Sequence, residues 1–193
     1  MESMTERAPR AAEARFEALA HVAVEPLHRY LVRRADADVV EDVLSETLLV
    51  LWRRIDEVPG LKAGPAVGPD EVLPWCYGVA RGCLANAHRA ERRRLRLVER
   101  LARTRGTLPA APPADHTDLH AALDKLGALD REVVLLWAWE ELEPRQIAEV
   151  TGMTSNAVSI RLHRAKKKLA GLLGERKNSA PAGHETSEGR SSR

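Results

Sequence analysis

Side chains that can read DNA bases are concentrated near the end of the sequence, in the segment 144–169, PRQIAEVTGMTSNAVSIRLHRAKKKL. Arg164 can donate two hydrogen bonds to a guanine edge, Asn156 can pair with adenine or anchor a phosphate, and Ile160 can contact a thymine methyl group. The three consecutive lysines at 166–168 can attract the phosphate backbone. Together these residue types predict a surface that binds duplex DNA.

Helical spacing indicates how this surface is presented. A short helix at 144–150, a turn containing Gly152 and a longer helix from about residue 155 have the layout of a helix-turn-helix, and glycine suits the positive φ of such a turn. Four apolar residues of the longer helix share one narrow sector and are predicted to face the core: Val158, Leu162, Ala165 and Leu169. The other side, hereafter the reading face, consists of Asn156, Ser159, Ile160, His163, Arg164 and Lys167.

Charge is segregated along the chain, although the formal net charge is only +2. Residues 36–57 carry seven acidic side chains against two arginines. Residues 81–105 carry nine arginines against two glutamates, and residues 154–168 carry five cations and no acid. One acidic and two basic surfaces favour a nucleic-acid ligand and a second partner. The plainer alternative for each charge run is a solvated helix face.

Composition and periodicity predict an all-α protein. Hydrophobic residues make up 44% of the chain but aromatic residues only 4%, a mixture typical of helices. The predicted helices are, in chain order, about 14–34, 39–58, 70–101, 118–126, 131–141, 144–150 and 155–173. Pro26 predicts a break or kink in the first of them, and Asp130 is the expected N-cap of the fifth.

The breaks between these helices predict two small helical domains joined by a flexible linker, the second domain being the helix-turn-helix. The linker is rich in Pro and Ala, and the C-terminal tail has no apolar pattern. The predicted units are a disordered N-terminus at 1–13, a first domain at 14–103, the linker at 104–117, a second domain at 118–174 and a disordered tail at 175–193.

The remaining chemistry of the sequence is sparse. Cys76 and Cys83 lie seven residues apart without a second cysteine pair, so we expect small core residues rather than metal ligands. The sequence has no phosphate loop, nucleophile elbow or clustered histidines, and no apolar stretch of signal-peptide or membrane-spanning type. We therefore expect a cytoplasmic protein that is not an enzyme and uses no metal or cofactor.

Two long segments are similar to one known family. DADVVEDVLSETLLVLWRRIDEV, at 36–58, and LPWCYGVARGCLANAHRAERRR, at 73–94, resemble the polymerase-binding and promoter-melting domain of extracytoplasmic-function sigma factors, in the bacterial sigma-70 family. The segment at 129–169 resembles the domain of the same family that binds the promoter −35 element. Both domains occur in the family's order, and the resemblance covers about residues 14–173.

The resemblance implies a function. The chain would bind core RNA polymerase, direct it to promoters through −35 and −10 elements, and promote DNA melting without nucleotide hydrolysis. The reading face would bind the −35 element. The −10 element would be held by a basic set on the third helix, Arg81, Asn86, Arg89, Arg92 and Arg93, with a base-capturing pocket somewhere in the loop at 60–72.

The resemblance also implies protein partners. A polymerase-docking face on the second helix would comprise Asp42, Glu46, Leu49 and Arg53, although the acids could equally compensate the helix dipole. Trp52 is assigned to the core because it continues the buried stripe. An anti-sigma factor is a further expected partner, and no small-molecule substrate is expected.

One alternative explains part of the pattern. A helix-turn-helix transcriptional regulator with an N-terminal effector-binding or dimerisation domain would share residues 118–173. It gives no account of an acidic helix followed by a strongly basic one.

Overall fold

A computed structural model of the chain describes residues 4–61, 68–102 and 118–179, and every regular element in these ranges is helical. The fold class predicted from the sequence, all-α, is therefore confirmed. The elements are α1 (Met4–Val32), α2 (Ala37–Arg53), a short 3-10 helix (Ile55–Glu57), α3 (Pro69–Ala102), α4 (Asp118–Asp124), α5 (Ala128–Ala138), α6 (Pro144–Thr151) and α7 (Ser155–Ser179). The predicted linker at 104–117 and residues 62–67 of the loop at 60–72 lie outside the described residues.

Helices α1, α2 and α3 pack on one another around an apolar core. Each helix contributes one stripe of apolar residues at helical spacing, among them Leu27, Val43 and Cys76, all of which are buried. Among the described residues, Thr47 is a polar residue that is fully buried in this core, and its hydroxyl donates a hydrogen bond to the carbonyl oxygen of Val43, at 2.6 Å. This bond offsets the cost of removing the hydroxyl from water.

The second helical group is α4 to α7, in which α7 packs on α4, α5 and α6. Its core is formed by residues such as Leu136, Ile147 and Val158, which have no exposed surface. The side chain of Arg161 on α7 donates a hydrogen bond to Asp130 on α5 at 2.7 Å, which ties these two helices together.

Several helix boundaries, and one predicted break, differ from the sequence-based predictions. Helix α1 begins at Met4 rather than near residue 14, and it continues through Pro26 without a break. Helix α5 begins at Ala128 with Gly127 as its N-cap, so the prediction that Asp130 is the N-cap is wrong. Helix α7 extends to Ser179, beyond the predicted start of a disordered tail at 175.

The two helical groups contact each other directly, mainly through α3 and α6. At Gly78 on α3 the two helices are in van der Waals contact, since a Cβ atom built there would lie 3.8 Å from the Cα atom of Val150 on α6. The contact continues at the side-chain amide of Gln146, which donates a hydrogen bond to the carbonyl oxygen of Asp70 at 3.1 Å. Apolar packing and polar contacts therefore both join the groups.

Both cysteines are buried, as the sequence predicts. Burial raises the pKa of the Cys76 thiol to about 12 and also raises the pKa of Cys83. Both thiols therefore stay protonated at neutral pH and act as small apolar residues. In the part of the chain that the structure describes, no three or more His, Cys, Asp and Glu side chains group together as a metal site. No helix in the same ranges has both the length and the apolar character to cross a bilayer.

Candidate nucleic-acid interface

The turn between α6 and α7 is fixed by local hydrogen bonds. Pro144 occupies the first turn of α6, where a missing N–H costs nothing, and the Glu143 and Gln146 side chains form a capping box there. Gly152 ends the helix with a left-handed backbone, φ 71°, as the sequence predicts. The hydroxyl of Thr154 then accepts a hydrogen bond from the backbone N–H of Ala157, which caps α7.

The orientation of α7 follows from its apolar stripe. Val158, Leu162, Ala165 and Leu169 are buried, which confirms the predicted inner side of the helix. All six residues of the reading face are exposed, and Ile160 retains 45% of its surface in water. The structure therefore brings the predicted reading face together on one outward side of a capped helix.

Two of the three lysines at 166–168 are held in place by their own domain. The ammonium group of Lys166 lies 3.8 Å from the ring centroid of Trp137, a cation–π contact, and Lys168 donates a hydrogen bond to the carbonyl oxygen of Lys125 at 2.6 Å. All three lysines remain exposed beside the reading face. They add positive charge at its border, with Lys166 and Lys168 in restricted orientations.

The second basic surface runs along α3. Asn86, Arg89, Arg92 and Arg93 are exposed, and Arg89 donates a hydrogen bond to the side-chain oxygen of Asn86. The exposed part of the helix continues to at least Arg96, whereas Cys83 and Leu84 on the same helix are buried. A single helix thus carries a core stripe in its first half and arginines beyond it.

Arg81 differs from the other members of the predicted −10 set. Its guanidinium donates a hydrogen bond at 2.7 Å to the carboxylate of Glu132, which belongs to α5 of the other helical group. This hydrogen bond is the main reason why the pKa of Arg81 is raised. The sequence-based interpretation of Arg81 as a free groove residue did not foresee this pairing.

The predicted base-capturing pocket falls in the loop at 60–72, of which residues 62–67 lie outside the described part of the chain. At the borders of that loop, Gly60 has a positive φ of 78° and Leu61 is fully buried. Trp75 packs against the guanidinium of Arg54, 5.1 Å from the ring centroid, while Tyr77 is buried against Tyr30. These contacts tie both aromatic rings into the packing of the first helical group.

The predicted polymerase-docking face lies on the outer side of α2. Asp42, Glu46, Leu49 and Arg53 are all exposed, and Leu49 has 46% of its surface in water. Leu49 is thus a large apolar residue surrounded by charged side chains on a solvent-facing surface. Such an arrangement is typical of a protein-binding site.

Trp52 is a correction to the sequence-based assignment. It is 38% exposed and meets Phe16 of α1 edge to face, with 5.2 Å between ring centroids, so it covers the border of the core rather than filling it. The helical period of α2 predicts that Trp52 lies on the buried stripe. In the structure, α1 covers only part of its indole ring.

Comparisons with known proteins agree on one class. A family model described as sigma-70, region 4 matches residues 116–169, which contain the helix-turn-helix. The fold is similar to that of the sigma factor RpoE in a co-crystal structure with the anti-sigma factor NepR from Bartonella quintana, with a TM-score of 0.57, 21% identity, and coverage of 82% of this chain and 96% of that one. The fold and the helix-turn-helix segment thus point to the sigma-70 class.

Sequence relatives narrow the class to a group. RNA polymerase sigma factor CarQ of Myxococcus xanthus is 32% identical over 145 residues, which cover 71% of this chain and 76% of CarQ. The ECF RNA polymerase sigma factor EcfG of Rhodopseudomonas palustris is 27% identical over 141 residues, covering 72% and 73% of the two chains. The chain belongs to the extracytoplasmic-function group of the sigma-70 family. It spans only about a third of the length of two other curated relatives, 31% and 36%.

Proposed function

We propose that this chain binds core RNA polymerase and directs it to promoters through the −35 and −10 elements, and that its reading face on α7 recognises the −35 element. The observation that carries the proposal is the exposed set of base-reading side chains on α7, within the residues that match sigma-70 region 4. Arg164 pairs with guanine in the major groove, and the neighbouring lysines neutralise phosphates.

We assign the −10 element to the exposed basic surface of α3. Its guanidinium groups attract the strand that is exposed when the duplex opens. Melting costs on the order of 1.4 kcal/mol per base-pair step in lost stacking. Binding of the separated strand offsets this cost, so the protein needs no nucleotide hydrolysis and acts in the cytoplasm without catalysing a reaction.

Polymerase docking is assigned to the outer face of α2. The exposed Leu49 supplies an apolar anchor, and Asp42, Glu46 and Arg53 around it supply charges that select the partner surface. The buried residues Val43 and Leu51 anchor the inner side of α2 in the core, so the docking face on its outer side is rigid before the partner binds.

An anti-sigma factor is the second protein partner that we propose. The support is by analogy, because the RpoE structure of similar fold contains the anti-sigma factor NepR. Exposed apolar residues on both helical groups, Leu49 and Trp139, offer contacts to such a partner.

The test is transcription in vitro with core polymerase that lacks any specificity subunit, on a promoter library from the source genome, with start sites read by sequencing. We expect specific initiation with the purified protein, and loss of start-site selection with Arg164→Ala. The matched control is Arg29→Ala, which removes the same charge from an exposed surface pair with Glu25 on α1.

Specific DNA binding without recruitment of polymerase would contradict the proposal. That result would identify the chain as a helix-turn-helix regulator.

A further inference from the structure

The turn after α1 holds two arginines that share one acidic partner. Arg33 and Arg34 both donate hydrogen bonds to the carboxylate of Glu140, which follows α5. The Glu140 side chain is only 2% exposed and that of Arg34 only 8%. Two guanidinium groups therefore share a single carboxylate in a place with little access to water.

Arg34 keeps part of its hydrogen-bonding capacity unused. Its Nη1 atom donates to the carbonyl oxygen of Tyr30 at 3.0 Å and to the carboxylate of Glu140 at 2.8 Å. Its Nε and Nη2 atoms, which carry the remaining N–H groups of the guanidinium, are buried and have no hydrogen-bond partner among the described residues. Buried donors without an acceptor are costly, so such a group calls for an explanation.

The unused donors of three arginines converge on one cleft. Four buried side-chain nitrogens in the described part of the chain make no hydrogen bond, and all four belong to arginines that line this cleft. Besides the two atoms of Arg34, they are Nε of Arg33 and Nε of Arg131 on α5, whose Nη1 pairs with Asp124 at 2.9 Å. Donors from two separate segments thus point to a common acceptor that enters the cleft.

The cleft has the size and lining of a small-molecule site. It has a volume of about 720 Å³ and lies between the end of α1, α3 and α5. Sites for small organic ligands commonly measure about 300–1,000 Å³. The lining contains four arginines but only two acidic residues, Asp36 and Glu132, and it also includes the apolar side chains of Val32 and Leu135. A cationic wall therefore adjoins an apolar one.

The donor set fits a phosphate group. The N–H groups of arginine form a planar fork that matches the oxygen atoms of phosphate, and hydrogen bonds between charged groups are stronger than neutral ones. One phosphate offers enough acceptor oxygens to serve several of these donors together. The volume exceeds what a lone phosphate ion needs, and Val32, which is 53% exposed, offers an apolar surface to the organic part of a ligand.

The phosphates of DNA fit this cleft less well than a free small molecule does. The Arg34 side chain is only 8% exposed, so a rigid duplex has little access to it, whereas a small anion can enter. No residue of α7, which carries the reading face, belongs to the described lining of the cleft. The cleft is therefore separate from the surface assigned to the −35 element.

We propose that this cleft binds a small organic phosphate, whose phosphate group accepts hydrogen bonds from Arg33, Arg34 and Arg131 while its organic part packs on Val32 and Leu135. The unpartnered nitrogens have no contact with solvent, so the guanidinium groups turn toward the cleft when the phosphate enters. The site does not rest on the proposed function in transcription, and its test needs neither polymerase nor promoter.

The test is isothermal titration calorimetry with the full-length protein at fixed ionic strength. The probes are AMP, glucose 6-phosphate and phenyl phosphate, each measured beside its counterpart without phosphate: adenosine, glucose and phenol. We expect saturable one-to-one binding of at least one phosphate and none of its counterpart. Arg34→Gln should weaken this binding about tenfold or more, because it removes charged donors from the site.

A second site variant guards against misfolding, because Arg34→Gln also takes a partner from the buried Glu140. Arg131→Gln changes a side chain that is 38% exposed, and it should weaken binding in the same direction. The matched control is Arg29→Gln, which removes an equal charge from an exposed pair with Glu25 outside the cleft and should leave binding unchanged. Circular dichroism checks that each variant folds.

Nuclear magnetic resonance of the arginine Nε–H groups locates the bound phosphate. The Nε–H signals of Arg34 and Arg131, assigned by their loss in the two variants, should shift as the ligand is added, whereas the signal of Arg29 should not. The site would be overturned if none of the three phosphates binds saturably, or if binding persists unchanged in both folded site variants. Displacement of the ligand by a short single-stranded oligonucleotide that itself binds less well to these variants would also overturn it, because the cleft would then belong to the DNA-binding surface.

Discussion

Arg164→Ala is the substitution that separates base reading from general attraction to DNA. Arg164 is exposed on α7, on the side opposite the buried Val158 and Leu162. Substitutions at such positions usually change the free energy of unfolding by no more than about 0.5 kcal/mol. The variant should therefore fold normally, so that a change in DNA binding reports on the lost guanidinium group.

The magnitude follows from the assigned contact. A bidentate pair between arginine and guanine contributes about 1–3 kcal/mol of discrimination at one base pair. This corresponds to a loss of about 5- to 150-fold in affinity for the preferred −35 sequence. Duplexes that already lack this guanine should be bound almost as well by the variant as by the wild type. Lys167→Ala is the matched control, because it removes one charge from the same exposed face.

The assay is fluorescence anisotropy with the full-length protein and short duplexes that carry only the −35 element. Each base pair is changed in turn, and each titration is repeated at several salt concentrations. Lys167→Ala should weaken binding to all duplexes alike and lower the slope of log K against log salt by about 0.9. If Arg164→Ala behaves in the same way, Arg164 contacts a phosphate and the assignment of base reading is refuted.

Three further predictions address the rest of the molecule. The double variant Arg89→Ala, Arg92→Ala should slow open-complex formation, measured by permanganate footprinting, more than it weakens −35 duplex binding, and equal losses would contradict the division of labour between α3 and α7. Leu49→Ala should reduce binding to core polymerase in a pull-down with little change in melting temperature. Leu51 is fully buried, so the control Leu51→Ala should lower the free energy of unfolding by about 2–5 kcal/mol. A large drop in melting temperature for Leu49→Ala would argue against an interface role. Burial raises the pKa of the Cys76 thiol to about 12, and the thiolate is the form that reacts. This thiol should therefore resist a thiol-specific reagent at pH 8 and react only on unfolding. Rapid labelling of the native protein would disprove its burial.

The parts of the fold that the sequence predicts well are those that depend on local pattern. The buried stripe of α7, the left-handed Gly152 and the outward position of Leu49 each follow from helical period or from the backbone freedom of one residue type. These features are set by residues within a few positions of one another. Helical periodicity is reliable here because one strong apolar stripe leaves few other packings for each helix.

The parts that were not predicted depend on residues far apart in sequence. Arg34 and Glu140 are separated by 106 positions, and Arg81 and Glu132 by 51, so no local pattern relates either pair. Trp52 was misassigned for a similar reason, since its exposure depends on how much of the indole Phe16 covers. Asp130 was expected to cap α5 but pairs instead with Arg161 across the domain.

Helix α3 is one uninterrupted rod of 34 residues, about 50 Å long. In its first half, Cys76 and Ala80 are buried in the core and fix the rotation of the helix about its axis. The direction in which Arg92 points therefore depends on the number of residues between Ala80 and Arg92. A single residue inserted between them would rotate the arginines by about 100° around the axis, while four would nearly restore their bearing. The number of residues between Ala80 and Arg92 is therefore under tighter constraint than the identity of the exposed side chains in that segment.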